Sequence, residues 1–170
     1  MNILKKIDTS ISETLTSSKL KDSIIISLLS YIGSVFSILV FLTILFACFD
    51  KKMILAESIC SLIYATGIVF ILKFTVKRKR NTTNIDKIRQ KIDPYSFPSG
   101  HISRLFASIS PFYGSPYTFI ISFILGIMAS IARISKGYHY FSDCFVGMTA
   151  GIASSILAKI TLNQLISLLS

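Results

Sequence analysis

Long uninterrupted runs of hydrophobic residues dominate the pattern along this chain. The run from Ser23 to Phe49 contains no charged residue, and the run from Met53 to Val76 is interrupted only by Glu57 and Lys73. Both runs exceed the roughly 18 apolar residues that indicate a membrane-spanning helix, and they are too long for buried strands. A soluble core is excluded, because a chain of this size could not cover helices that are apolar on every face. The pattern therefore predicts an integral membrane protein.

Three further apolar runs follow a basic, polar segment at residues 77–98. They cover approximately Ser99–Tyr113, Tyr117–Ser135 and Asp143–Leu168, and proline and glycine residues separate the first two. The first of these three is short, since about 15 residues at 1.5 Å rise per residue do not cross a ~30 Å hydrocarbon core. We predict an all-α membrane helical bundle of about five transmembrane helices, forming a single domain over residues 1–170.

The first 22 residues have a weaker, amphipathic pattern. Apolar residues recur there at three- and four-residue spacing, with charged residues between them. The apolar positions are Ile3, Leu4, Ile7, Ile11 and Leu15. This spacing is typical of a helix lying on the membrane surface, and a polar tail is the alternative. We expect an N-terminal interfacial helix.

Composition and charge support the membrane assignment. Hydrophobic residues make up 52% of the 170 residues and charged residues only 15%, whereas an average soluble domain is about 25% charged. The net charge of +10 could indicate a nucleic-acid partner, but the basic residues flank membrane spans and no nucleic-acid-binding motif is recognisable. The three cysteines lie in apolar segments and are odd in number, which argues against a disulfide framework.

The predicted connectivity brings the unusual polar residues to one end of the bundle. With five antiparallel spans, the end of the second, the start of the third, the end of the fourth and the start of the fifth share one membrane face. The residues on that face are Lys73, Arg80, Ser99, His101, Arg104, Arg133, His139 and Asp143. Ionisable groups at membrane depth are costly, so their clustering indicates a functional site.

Taken singly, these residues have ordinary explanations: a topology-fixing basic flank, a helix cap, a snorkelling arginine and an interfacial histidine. Together they suit phosphoryl transfer. His139 and Asp143 are four residues apart, so the carboxylate can fix the ring tautomer and leave one nitrogen free to attack. His101 supplies a second imidazole for proton transfer near neutral pH.

Cations and backbone donors complete the predicted site. Lys73, Arg80 and Arg133 suit a phosphate whose transition-state charge spreads over three oxygens. The turn Ser99–Gly100–His101 can offer backbone N–H groups at a helix N-terminus. Competing motifs do not fit: no cysteine is followed by arginine at the phosphatase spacing, and neither GxxxxGK[ST] nor HExxH occurs. Two distant histidines without an acidic cluster predict neither a metal nor another cofactor.

These motifs resemble the type 2 phosphatidic acid phosphatase superfamily of membrane lipid phosphatases. Its signature is K-x6-R-P, then P-S-G-H, then S-R-x5-H-x3-D. The chain contains Lys73-FTVKRK-Arg80-Asn81, Pro98-Ser-Gly-His101 and Ala132-Arg133-ISKGY-His139-YFS-Asp143. Order and spacing agree, and only Asn81 and Ala132 depart from the signature. Neither departure removes an ionisable group.

The resemblance implies a role for each matching residue. His139 would be the nucleophile that forms a phosphohistidine, Asp143 would orient it, and His101 would protonate the leaving group. The implied phosphate-binding residues are Lys73, Arg80, Ser99, Gly100 and Arg133. Arg104, in the sequence YSFPSGHxxR, is similar to a feature of polyisoprenoid diphosphate phosphatases and is a candidate substrate-binding residue.

The implied substrate is therefore a polyisoprenyl phosphate or diphosphate in a membrane. The alternatives are a phosphatidic acid or phosphatidylglycerophosphate phosphatase, and a non-enzymatic anion-binding or transport protein. Vanadium haloperoxidases resemble the same site but are not expected in a chain with five spans. Basic residues are more numerous on the active face, so the positive-inside rule predicts a cytoplasmic site; at the outer face they could instead bind anionic headgroups.

Overall fold

The protein is a bundle of helices, and the computed structural model describes residues 3–48, 52–80, 93–109, 112 and 116–169. Within these residues there are seven α-helices, with a 3-10 turn at Lys19–Asp22 between the first two. The helices are α1 (Ile3–Ser17), α2 (Ile24–Leu29), α3 (Val35–Cys48), α4 (Lys52–Val76), α5 (Gly100–Ser108), α6 (Pro116–Ser135) and α7 (Phe141–Leu169). The prediction of an all-α membrane bundle is confirmed.

Three of the described helices are long and apolar enough to cross a membrane, namely α4, α6 and α7. Their bounds agree with three of the predicted spans. Large apolar side chains such as Ile63, Phe70 and Ile120 are exposed on these helices. Such surfaces are suited to lipid, because the hydrocarbon is as apolar as the side chains.

The predicted first span is not a continuous helix. The run from Ser23 to Phe49 is divided into α2 and α3 by a turn that contains Gly33. Gly33 has φ = 77°, a conformation that a residue without a Cβ adopts at little cost. A Cβ at this position would lie 2.1 Å from the carbonyl oxygen of His101. The turn therefore packs directly against the start of α5.

The predicted third span is reduced to the nine-residue helix α5. This helix is largely buried and packs most extensively against α4 and α7. Gly147 and Gly151 on α7 allow the close approach, because a Cβ at either would lie 2.5 Å from a backbone oxygen of Ser99 or Ser103. Small residues allow helix backbones to approach closely in membrane bundles. The result is a short helix held in the centre of the bundle.

Helix α1 packs against one end of the bundle through polar residues. Asp8 and Ser12 are buried, whereas Ile7 is 51% exposed. The backbone N–H of Ser142 donates to Asp8 Oδ1 (2.8 Å), and that of Phe141 donates to Ser12 Oγ (3.2 Å). These residues lie in the first turn of α7, so α1 satisfies donors that a helix N-terminus leaves unpaired. The amphipathic pattern did not predict this polar contact.

Candidate active site

His139 lies in the connection between α6 and α7, and its side chain is 2% exposed. Its Nδ1 lies 2.7 Å from the backbone carbonyl oxygen of Ser96. A carbonyl only accepts hydrogen bonds, so Nδ1 carries the proton and Nε2 keeps its lone pair. Burial lowers the pKa of His139 well below its usual value, and the nearby charges of Arg133, Arg80 and Lys73 lower it further. The ring is therefore a neutral imidazole at neutral pH.

Asp143 lies behind this ring but is not its hydrogen-bond partner. Asp143 Oδ2 is 3.7 Å from His139 Nδ1, which exceeds hydrogen-bond distance. Oδ2 instead accepts from the backbone N–H of Tyr140 at 2.9 Å. The sequence predicted that Asp143 fixes the tautomer; in this structure the Ser96 carbonyl occupies that position. The reason is that Asp143 lies in the first turn of α7, where its carboxylate can accept a hydrogen bond from a backbone N–H at the start of the same helix.

The Ser96 carbonyl is positioned by a short pairing of two chain segments. Lys77 has φ = 51° and turns the chain away from α4. Lys79 and Tyr95 then form an antiparallel bridge, and the N–H of Ser96 donates to the carbonyl of Arg78 at 2.8 Å. Residues 81–92 of the predicted basic loop, including Asn81, lie outside the described residues.

A cavity of about 170 Å³ opens beside His139. We call it the His139 cavity. It is lined by Thr66, Val69, Phe70, Lys73, Asp93, Gly100, His101, Arg104 and His139. Five of the predicted site residues therefore border one space, although they come from α4, α5 and the connection before α7. One wall, from α4, is largely apolar.

Asp93 was not predicted as a site residue, yet it pairs with two of the predicted phosphate-binding cations. Its carboxylate accepts hydrogen bonds from Lys73 Nζ and from Arg80 Nη2, the latter at 2.7 Å. Burial alone would raise the pKa of Asp93, but the hydrogen bond and charge of Lys73 and the charge of Arg80 outweigh it and lower the pKa. Asp93 is therefore an anion in the position where a phosphate would meet these cations.

Hydrogen bonds to backbone groups hold Arg80, Arg104 and Ser99 near this cavity. Arg80 is largely buried and donates to the carbonyl of Tyr138 at 2.9 Å. Arg104 lies one turn after His101, with Nη2 3.5 Å from His101 Nδ1, and donates to the carbonyl of Gly33 at 3.1 Å. Ser99 is the N-cap residue of α5, but its hydroxyl makes no cap hydrogen bond. Its N–H donates to the carbonyl of Asp143 at 2.8 Å, so this N–H is already used.

Arg78 is a second residue that the sequence prediction missed. Its guanidinium donates to Asp143 Oδ1 at 3.0 Å and to Asp8 Oδ2 at 2.6 Å. It also lies 3.7 Å above the ring of Tyr140. In the sequence, Arg78 is one of several basic residues in the segment 77–98, and no motif distinguishes it. In the folded chain it connects α1 to the start of α7 and neutralises the carboxylate behind His139.

Arg133 lies on the side of His101 that faces away from the His139 cavity. Its side chain is stacked over the ring of Tyr138 at 4.5 Å, and Nη1 donates to the carbonyl of Ser30 at 3.4 Å. Arg133 does not border the His139 cavity but lines a neighbouring one with His101. Within the described part of the chain, no group of three histidine, cysteine or acidic residues is placed to hold a metal ion.

Comparison with known proteins identifies the family. Residues 52–166 match the sequence profile of the PAP2 superfamily. The chain belongs to the PAP2 superfamily. This confirms the resemblance inferred from the three motifs. The match begins at α4, so α1 to α3 precede it.

Two solved structures are similar to this PAP2 chain. One is the transmembrane PAP2-type phosphatidylglycerolphosphate phosphatase from Bacillus subtilis, with a TM-score of 0.76 and 18% identity over 96% of this chain and 88% of that chain. The other is Aquifex aeolicus LpxE, with a TM-score of 0.73 and 21% identity over 89% of this chain and 94% of that chain. At these identities the similarity is one of fold. No curated protein sequence matches the chain.

Proposed function

We propose that this PAP2 protein hydrolyses polyisoprenyl phosphates or diphosphates through a phosphohistidine intermediate on His139. The observation that carries the proposal is the state of the His139 ring. Its Nδ1 donates to the Ser96 carbonyl, and the ring borders a cavity shared with Lys73, Gly100 and His101. A neutral ring with a lone pair on Nε2 is the form in which histidine acts as a nucleophile.

The proposed reaction uses the two histidines that border this cavity. Nε2 of His139 forms a bond to phosphorus, and the bond from phosphorus to the leaving oxygen breaks as His101 gives that oxygen a proton. Water then attacks the phosphohistidine, and His101 takes the proton back. Lys73 and Arg80 supply positive charge beside the transferring group, and Arg133 adds positive charge from the neighbouring cavity. We therefore expect the reaction to need no metal ion.

Phosphate release by the purified full-length protein tests this proposal. Farnesyl and geranylgeranyl diphosphate should be hydrolysed with EDTA present, and more efficiently than phosphatidic acid or phosphatidylglycerophosphate. The variant His139→Gln should lose about 10³-fold or more of this activity with an unchanged melting temperature. Near-normal turnover by the variant would contradict the mechanism, and a preference for either phospholipid would reassign the substrate.

Detection of the intermediate provides an independent check. After a brief reaction with a ³²P-labelled substrate, we expect an acid-labile label on wild-type protein and none on His139→Gln. The matched control is Tyr138→Phe, which changes the neighbouring residue and keeps the nucleophile. Label on the His139→Gln protein would place the covalent step elsewhere.

We further propose that the active face is cytoplasmic. Basic residues on that face outnumber those opposite. An exposed lysine marks each end of α4: Lys52 is its first residue, and Lys79 lies three residues after its last. After replacement of the native cysteines, Lys79→Cys should be protected from an impermeant thiol reagent in intact cells and Lys52→Cys should be labelled. The reverse pattern would place the site outside.

A further inference from the structure

A second cavity, of about 180 Å³, lies on the other side of His101 from His139. We call it the Lys136 cavity. It is lined by Ser30, Tyr31, Ser34, His101, Arg133, Lys136 and Tyr138. Its walls are the turn between α2 and α3 and the C-terminal end of α6. Lys136 occupies a variable position of the third sequence motif, and the residues of the turn belong to none of the three motifs.

The lining of this cavity is strongly suited to an anion. It contains two cationic side chains, Arg133 and Lys136, and no acidic residue among the described residues that border it. The hydroxyl group of Tyr31 can add a hydrogen-bond donor, whereas the hydroxyls of Ser30 and Ser34 donate to Ser27 and Ser37. The His139 cavity differs, because there Asp93 offsets part of the positive charge. Two cations without an acid in the lining favour a group that carries more than one negative charge.

The walls of the Lys136 cavity are held in place by the fold. Arg133 is 3% exposed and stacks on Tyr138. Lys136 Nζ donates to Ser27 Oγ at 3.0 Å, which ties the end of α6 to α2. The close contact between Gly33 and the carbonyl of His101 fixes the turn against α5. Such a preformed site does not have to order its own side chains when a ligand binds.

We propose that the Lys136 cavity binds a second phosphate group, so that the protein acts on lipid diphosphates in preference to monophosphates. This inference rests on the proposed phosphatase activity and refines its substrate. The terminal phosphoryl group lies at His139, and the phosphate attached to the lipid lies at Arg133 and Lys136. His101 is the residue common to both cavities, and it is therefore beside the bridging oxygen.

This arrangement defines the first chemical step, the transfer of the terminal phosphoryl group to His139. His139 Nε2 bonds to the terminal phosphorus, the bond from that phosphorus to the bridging oxygen breaks, and His101 protonates the oxygen that leaves. The leaving group is a lipid monophosphate, whose negative charge remains against Arg133 and Lys136. Tyr31, which lines this cavity, is exposed, so the hydrocarbon chain of the leaving group can leave the cavity along this side chain.

Binding of inorganic pyrophosphate and phosphate to purified protein that carries His139→Gln tests the subsite without turnover. We compare this protein with the same protein carrying Lys136→Ala or Lys136→Gln in addition, by calorimetry in detergent. The glutamine variant keeps a hydrogen-bonding side chain and loses the charge, whereas the alanine variant loses both. For both variants we expect pyrophosphate to bind about tenfold more weakly and phosphate less than about twofold more weakly. Lys79→Ala, which removes an exposed lysine of the same face, should change neither.

The hydrolysis of matched lipids supplies the second measurement. Lys136→Gln should lower kcat/KM for farnesyl diphosphate about tenfold more than for farnesyl monophosphate. Equal losses with both lipids, or an unchanged pyrophosphate affinity, would overturn the subsite. If wild-type protein hydrolyses neither lipid, the proposed function fails, but the calorimetric comparison still decides whether Lys136 recognises a second phosphate.

Discussion

The His139 cavity and the Lys136 cavity have nearly equal volumes and share His101 as a common wall, but their charges are balanced differently. In the first, Asp93 pairs with Lys73 and Arg80. In the second, Arg133 and Lys136 line the space without an acid among its described lining residues. The first cavity therefore contains an internal anion, which a phosphate would have to displace under the proposed mechanism.

This difference suits the two parts of a transfer reaction. A catalytic site has to release inorganic phosphate after every turnover, and an internal carboxylate that competes for the same cations favours release. A site that only holds the substrate binds it more tightly when no carboxylate of the protein competes for its cations. Binding energy that is equal in the substrate complex and the transition state lowers KM without raising kcat. The following predictions separate the two cavities, from the largest expected effect to the smallest.

Loss of His101 should affect both cavities, since it is the wall between them. We expect His101→Asn to lower kcat for farnesyl monophosphate about 10³-fold, because the alkoxide leaving group requires a proton. First-turnover release of p-nitrophenolate from p-nitrophenyl phosphate should fall less than about tenfold, since that group leaves unprotonated. Stopped-flow measurement of both reactions checks this. Equal losses would mean that His101 does not serve as the acid.

Loss of Arg78 should weaken the support behind His139 and leave the Lys136 cavity unchanged. Arg78→Gln leaves Asp143 buried without its cation and detaches Asp8 on α1. Breaking such a buried pair costs about 3 kcal/mol of unfolding free energy. Denaturant unfolding in micelles measures the loss, with Lys79→Gln as the exposed control. The ratio of pyrophosphate to phosphate affinity should not move; a changed ratio would connect Arg78 to the second cavity.

Neutralising Asp93 should make the two cavities alike in charge. Because Asp93→Asn removes the carboxylate that competes for Lys73 and Arg80, inhibition by inorganic phosphate should become about tenfold tighter. Asp22→Asn changes an exposed acid in the 3-10 turn and should have no effect. Inhibition constants measured on the same substrate decide the outcome. Weaker phosphate inhibition in the variant would show that Asp93 assists binding.

Acidification should leave the His139 ring neutral over the physiological range. Burial and the charges of Arg133, Arg80 and Lys73 disfavour the charged ring, so its pKa lies below the ordinary 6.5. As the pH falls through 6.5, the ring remains unprotonated and Nε2 stays available. NMR titration of ¹³C-labelled histidine, assigned with His139→Gln, measures the midpoint. A midpoint at or above 6.5 would contradict a desolvated ring.

Several features that decide this site have no clear sequence signal. The Ser96 contact is made by a backbone carbonyl, which every residue possesses. Asp93 is one of the few acids in a basic segment, and its pairing depends on how the chain returns to α4. Arg78 lies within a run of four basic residues, and no motif distinguishes it. The break at Gly33 lies within an apolar run, where hydropathy does not distinguish a turn from a helix.

The sequence by itself determined the membrane class, the three main spans and the motifs of the PAP2 superfamily, because apolar run length and the spacing of ionisable residues are local properties. The tertiary structure decided which group holds the His139 ring, which anion meets the cations and that a second cationic cavity adjoins the first. Those relations join residues far apart in the chain. They depend on packing distances of a few ångströms, which residue order does not specify.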